Sequence, residues 1–158
     1  MSQSKQTATR IREVFLSGHW IANTNYKKEL SKLSWEQATT NIYGLNTVAA
    51  LTFHINYYLD GILRAVDTGS LDIQDKYSFD MPPVASEEEW SKLVDAFLAN
   101  AEKFVAFTEH LPSEKLNAPF FNEKYGTYQR NIEAVIEHSY YHLGQISLIN
   151  KMLGTHNK

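Results

Sequence analysis

Three histidines carry the chemistry that this sequence offers. His138 and His142 stand four residues apart in the stretch EHSYYHLGQI. On a helix they are separated by about 40° of rotation, so both imidazoles leave the same side and two ring nitrogens can reach one ion. Two imidazoles hold a divalent ion weakly, and a third ligand should come from another helix. His54, in AALTFHINYYLDG, lies close to the helical face of Leu51, Tyr58 and Ala65. His54, His138 and His142 are therefore expected to form a facial set on one divalent ion, with positions left open for water or substrate. Imidazole suits zinc, nickel, iron or copper, and the spacing does not choose among them. The pattern is not that of an HExxH metalloprotease: Ser139 follows His138, and Glu137 precedes it, about 100° away around the helix. The competing explanation is packing, because a lone histidine on an apolar face is usually a core residue bonded to backbone or tyrosine, and nine tyrosines are present. Against it stands the repeated cost of desolvating three imidazoles without a common purpose.

The remaining candidates are weaker. His19, beside Trp20, is expected to line the same cavity. His110 ends a helix, where a cation complements the helix dipole, and His156 sits in a polar tail with no evident role. Tyr58 and Tyr141 lie close enough in angle to the ligands to bond a bound water or donate a proton, although tyrosines at helical spacing are more often packing residues. No convincing carboxylate base is evident, and no catalytic residue is assigned.

These residues must be held by helices. Three- and four-residue apolar spacing marks four long segments, near 7–33, 47–66, 86–110 and 127–153. Ser34 with Gln37 and Ser86 with Glu89 have capping-box spacing, the first opening a short extra helix. Between the second and third long segments lie about 19 residues, LDIQDKYSFDMPPVASEEE, where Pro82 and Pro83 forbid helix; loops of that length are often functional. The expectation is an all-α four-helix bundle, residues 1–158 forming one domain, with the long crossover giving an up-down-down-up arrangement.

Composition narrows the function. The 158 residues suit a single domain, and 43% hydrophobic with 21% charged residues is an ordinary globular balance. A net charge of −3 without a basic run argues against nucleic acid as a partner. No stretch reads as a membrane span, and the polar N-terminus MSQSKQTATR lacks the apolar core of a secretory signal. Cysteine is absent, which removes disulfides and any cysteine nucleophile, and a cytoplasmic location is expected. Trp35 and Trp90 are read as exposed aromatics that would support a homodimer.

Taken with the LSWEQ turn, the GHW of the first segment, the approach YGLNTVAALTFHINYYLDGIL and the final HSYYHLGQI, the chain resembles the DinB-like superfamily of metal-dependent four-helix-bundle proteins. It is also similar to the related thiol-dependent S-transferases, such as bacillithiol transferases and mycothiol-dependent maleylpyruvate isomerases. The resemblance implies metal ligands at a histidine of the second long helix and at both histidines of the HxxxH, positions matched by His54, His138 and His142. Some relatives replace one of them by an acid; this chain keeps all three. It further implies a metal-dependent transferase that joins a low-molecular-weight thiol cosubstrate to a small electrophilic substrate. The alternatives are a metal- or ligand-binding stress-response protein without turnover, and a helical interaction module whose histidines only pack.

Overall fold

Capping decides where most of the helices begin. The structure, a computed structural model, describes residues 1–155, so His156 lies outside the described residues. Its elements are α1 (Gln3–Arg12), which runs into a π-helical turn (Glu13–Ser17), α2 (Tyr26–Leu30), α3 (Trp35–Ala38), α4 (Val48–Thr68), α5 (Glu87–His110), α6 (Ser113–Asn117) and α7 (Tyr128–Met152). Short 3₁₀ turns cover Asp75–Tyr77 and Glu123–Tyr125. Among the described residues no strand occurs, only an isolated bridge between Pro119 and Thr127. The fold is all-α, and no described helix is long and apolar enough to cross a membrane.

The side chains of Thr47, Ser86 and Thr127 accept hydrogen bonds from the N–H groups of Ala50, Glu89 and Arg130, and so open α4, α5 and α7. Ser34 and Gln37 form the reciprocal capping box anticipated for α3. At α5 the second arm of the box is displaced by one residue: the Glu89 carboxylate accepts from the Ala85 N–H at 2.7 Å.

The first segment departs from the single helix expected over 7–33. Helix ends at the π-helical turn, and Gly18 carries the chain away with φ −87° and ψ 158°. The backbone there passes so close to Glu13 that a Cβ on residue 18 would lie 2.3 Å from its Cα, so only glycine fits. Asn25 then starts α2, its side-chain oxygen accepting from Lys28 N–H and its amide donating to the Gly18 carbonyl at 3.1 Å. Periodicity survives the break because Tyr26, on the new helix, still points into the core.

α5 packs against α1 and α4, and α7 against α4 and α1, which makes α4 and α7 neighbours. Phe15, Tyr26 and Phe97 meet in the core with ring centroids 5.1 to 5.6 Å apart. Each such fully buried side chain contributes about 1.5–3 kcal/mol relative to exposure. Trp90, read from sequence as an exposed dimer contact, is instead only 2% exposed and donates its indole N–H to the Leu33 carbonyl at 3.2 Å. Trp35 is half-buried and packs against the core.

The chain after α4 does not stray into solvent. Ile73 lies on Gly61 so closely that a Cβ there would come within 2.8 Å of its side chain. The Tyr57 hydroxyl donates to the Gln74 carbonyl at 2.9 Å and accepts from the Gln74 N–H at 3.1 Å, a two-point latch that fixes this segment along α4.

Candidate metal centre

α4 contributes His54 and α7 contributes His138 and His142, one turn apart, and the adjacency of these helices brings the three rings together. His138 Nε2 lies 2.8 Å from His142 Nε2 and 3.2 Å from His54 Nε2. Three nitrogens about 2.0–2.1 Å from one ion, at tetrahedral or octahedral angles, stand about 2.9–3.4 Å apart. The distances of 2.8 and 3.2 Å lie within or just below that range, and the three histidines could hold a metal ion.

The rings are oriented for it. His142 Nδ1 lies 2.6 Å from Gln145 Oε1, which can only accept, so the neutral ring carries its proton on Nδ1 and turns the Nε2 lone pair to the cluster. Phe79, from the segment after α4, stacks on His54 with centroids 4.1 Å apart and planes 12° from parallel. Burial, then the nearby His142 and His138 rings, push His54 from the ordinary 6.5 down to about 4; the Ser78 backbone and Asp75 oppose this. His54 Nδ1 nevertheless has no partner in hydrogen-bonding geometry. Burial, then His142, lowers His138, and burial lowers His142 against the opposing bond from Gln145. All three rings thus favour the neutral, ligating form.

Beside His138 opens a cleft of about 540 Å³ between α4, α7, the 71–75 segment and the loop before α7. Its walls are mainly apolar, including Ile55, Ile62, Ile73, Phe120 and Val135. Tyr58 reaches into it with its ring 5.1 Å from that of His54 and 5.6 Å from that of His138, and its hydroxyl donates to Asp75 Oδ1 at 3.0 Å. Burial is the largest cause that raises the Tyr58 phenol above its ordinary range.

The three ligand candidates are brought together, and Tyr58 joins them. Tyr141 does not share the cleft: its ring stands 4.9 Å from that of His142, but the residue is 64% exposed. His19 is also misplaced by the sequence reading. The break at Gly18 leaves it exposed on a turn, away from the residues that line the cleft. His110 donates from Nδ1 to the Ala106 carbonyl at 2.7 Å in the last turn of α5. Phe79 and the carboxylate of Asp75 went unnoticed in the sequence. The one available signal was the stretch DKYSFD, two aromatics bracketed by acids inside a loop too long to be a mere connector.

No curated protein matches this chain, and no solved structure does. Residues 22–146 match the DinB superfamily, a span that holds all three histidines, Gln145 and the long loop. With most of its length matched, the chain belongs to the DinB superfamily.

Proposed function

We propose that the chain binds one divalent ion through His54, His138 and His142, and uses that site to join a low-molecular-weight thiol to a small electrophile. The supporting observation is the convergence of three neutral ring nitrogens, at ion-sized spacing, on the edge of an apolar cleft. When bound, the ion supplies Lewis acidity that favours the thiolate over the thiol at neutral pH.

The protein's own groups do the rest. Gln145 holds the His142 tautomer, and Phe79 restricts the His54 ring by stacking on one face. The apolar walls displace water from the electrophile and place its reacting atom near His138. The sulfur forms the new bond to carbon with its own electron pair, the displaced group leaves with the old pair, and the thiol proton passes to solvent. The chain has no cysteine, which fits a thiol brought in as a cosubstrate.

The test is elemental analysis of the tag-free protein beside the His138→Ala/His142→Ala double variant, both confirmed folded by circular dichroism, followed by transfer assays that pair thiols with electrophiles. About one ion per chain in the parent, none in the variant, and thiol adducts formed by the parent alone are the expected results. An ion without adduct formation would leave a metal-binding protein and remove the transferase. No ion after reconstitution with zinc, nickel or iron would overturn both.

A further inference from the structure

The polar groups of the cleft are unevenly distributed between donors and acceptors. Tyr58 gives its hydroxyl proton to Asp75, and the Ser78 hydroxyl is bonded to its oxygen. Asn131 directs its amide nitrogen to the carbonyls of Tyr125 and Thr127, each at 2.8 Å, which uses both amide protons and leaves its carbonyl oxygen. Asp75 is a carboxylate that forms no ion pair among the described residues. Among the described residues no lysine or arginine lines the cleft. Lys76 and Lys124, sequence neighbours of two lining residues, carry their ammonium groups over the rings of Tyr77 and Tyr125, 4.6 and 4.7 Å from the centroids. The hydroxyls of Tyr125 and Ser139 can serve either way.

A cleft with apolar walls, an acceptor at Asn131 and, exposed at its rim, the Asp75 carboxylate without an ion pair among the described residues complements a particular kind of molecule. We infer that it binds a small, mostly apolar compound bearing an ammonium group, the cation seated on Asp75 and the apolar body against Ile55, Ile62, Ile73, Phe120 and Val135. In metal-free protein a carboxylate-bearing compound of the same size would meet like charge and find no side-chain cation to neutralise it. The selectivity resides in the cleft walls and is readable without an ion; only the placement of the reacting end beside His138 rests on the metal-dependent reading above.

Phenylbutylamine, phenylbutanol and phenylbutyrate share one apolar body and differ in charge. Their affinities are measured by calorimetry at neutral pH on the full chain as isolated and after chelation, with metal content recorded for each sample. The amine should bind about tenfold tighter than the alcohol in both samples, and the butyrate weakest in the chelated one. Raising the salt concentration should narrow the amine's advantage in the parent protein. Asp75→Asn should bring the amine down to the alcohol, while Val135→Trp, which fills the cleft, should weaken all three. An amine no tighter than the alcohol, an advantage that survives Asp75→Asn, or no binding by any of the three would overturn the inference. An advantage found only before chelation would assign it to ligation of the ion and overturn it as well. If no sample contains metal and the order still holds, the metal reading fails and the cleft's selectivity stands.

Discussion

Two clusters of buried polar groups lie along α7, and they are built on opposite principles. Toward its C-terminal end, Asn150 meets Glu29 of α2, a carboxylate only 1% exposed. Glu29 receives the Thr24 hydroxyl at 2.6 Å, the Lys32 ammonium at 2.9 Å and the Asn150 amide at 2.7 Å. Burial alone would raise its carboxyl; the three hydrogen bonds and the Lys32 charge outweigh burial and lower it. Two turns earlier, His138 and His142 meet His54, and here Gln145 complements one ring from outside while the three rings have only one another. Like rings face like rings at Nε2, and His54 Nδ1 has no partner in hydrogen-bonding geometry among the described residues. A polar cluster that holds a fold together brings its own counterparts, with here only Asn150 Oδ1 left over. A cluster that holds a ligand leaves the counterpart to be supplied.

The largest effect should come from the self-sufficient cluster. Glu29→Ala removes the acceptor for three donors, and the mutant should lose about 3 kcal/mol of stability by urea denaturation while its metal content stays that of the parent. Acid should separate the clusters too. Glu29 has a folded pKa below its ordinary 4.5, so its contribution is present above that value and lost as pH falls through the lower, folded one. In chelated protein the depressed histidines act with the same sign in a higher window, from the ordinary 6.5 down to about 4 for His54. Urea midpoints across pH should therefore fall in two stages, and Glu29→Ala should erase only the more acidic one. Loss of the upper stage in that variant would mean that the two clusters are one unit.

A smaller effect, confined to the other cluster, is expected from Gln145→Leu. It removes the acceptor that fixes the His142 tautomer and fills similar space with an apolar group. Metal affinity measured by competition with a chelator should drop roughly 10- to 100-fold, with stability of the metal-free protein nearly unchanged. An unchanged affinity would show that the ring is oriented by packing alone.

The contrast also explains what could be read in advance. The HxxxH spacing and a third histidine on another apolar helix face were legible because helical period converts directly into direction, and α4 and α7 do lie side by side. The capping residues of α3 and α5, Ser34 and Ser86, were legible for the same local reason. The break at Gly18 was not, since it depends on how closely the chain returns over Glu13, and that error misplaced His19. Trp90 was misread because burial is decided by the partner, here the Leu33 carbonyl 57 residues away. Phe79 and Asp75 reach the site through the Tyr57 latch and the gap left by Gly61, contacts that no periodicity encodes.

The finest test concerns the residue that touches both regions. Tyr26, three positions before Glu29, is fully buried, and burial holds its phenol well above the ordinary range, so it remains protonated and donates to the Ser139 carbonyl at 2.8 Å. Ser139 directly follows His138, so this bond pins α7 at the level of the ligands. Tyr26→Phe keeps the ring among Phe15 and Phe97 and removes only the hydroxyl, which should cost about 1 kcal/mol by urea denaturation. Because Glu29 and Asn150 still fasten the same helix, the metal affinity of the variant should stay within about threefold of the parent, less than 1 kcal/mol. A tenfold loss of affinity would instead make Tyr26 a positioning residue for His138. The helix would then owe its register at the metal centre to that one hydroxyl, and the Glu29 cluster would serve only to keep the end of α7 in place.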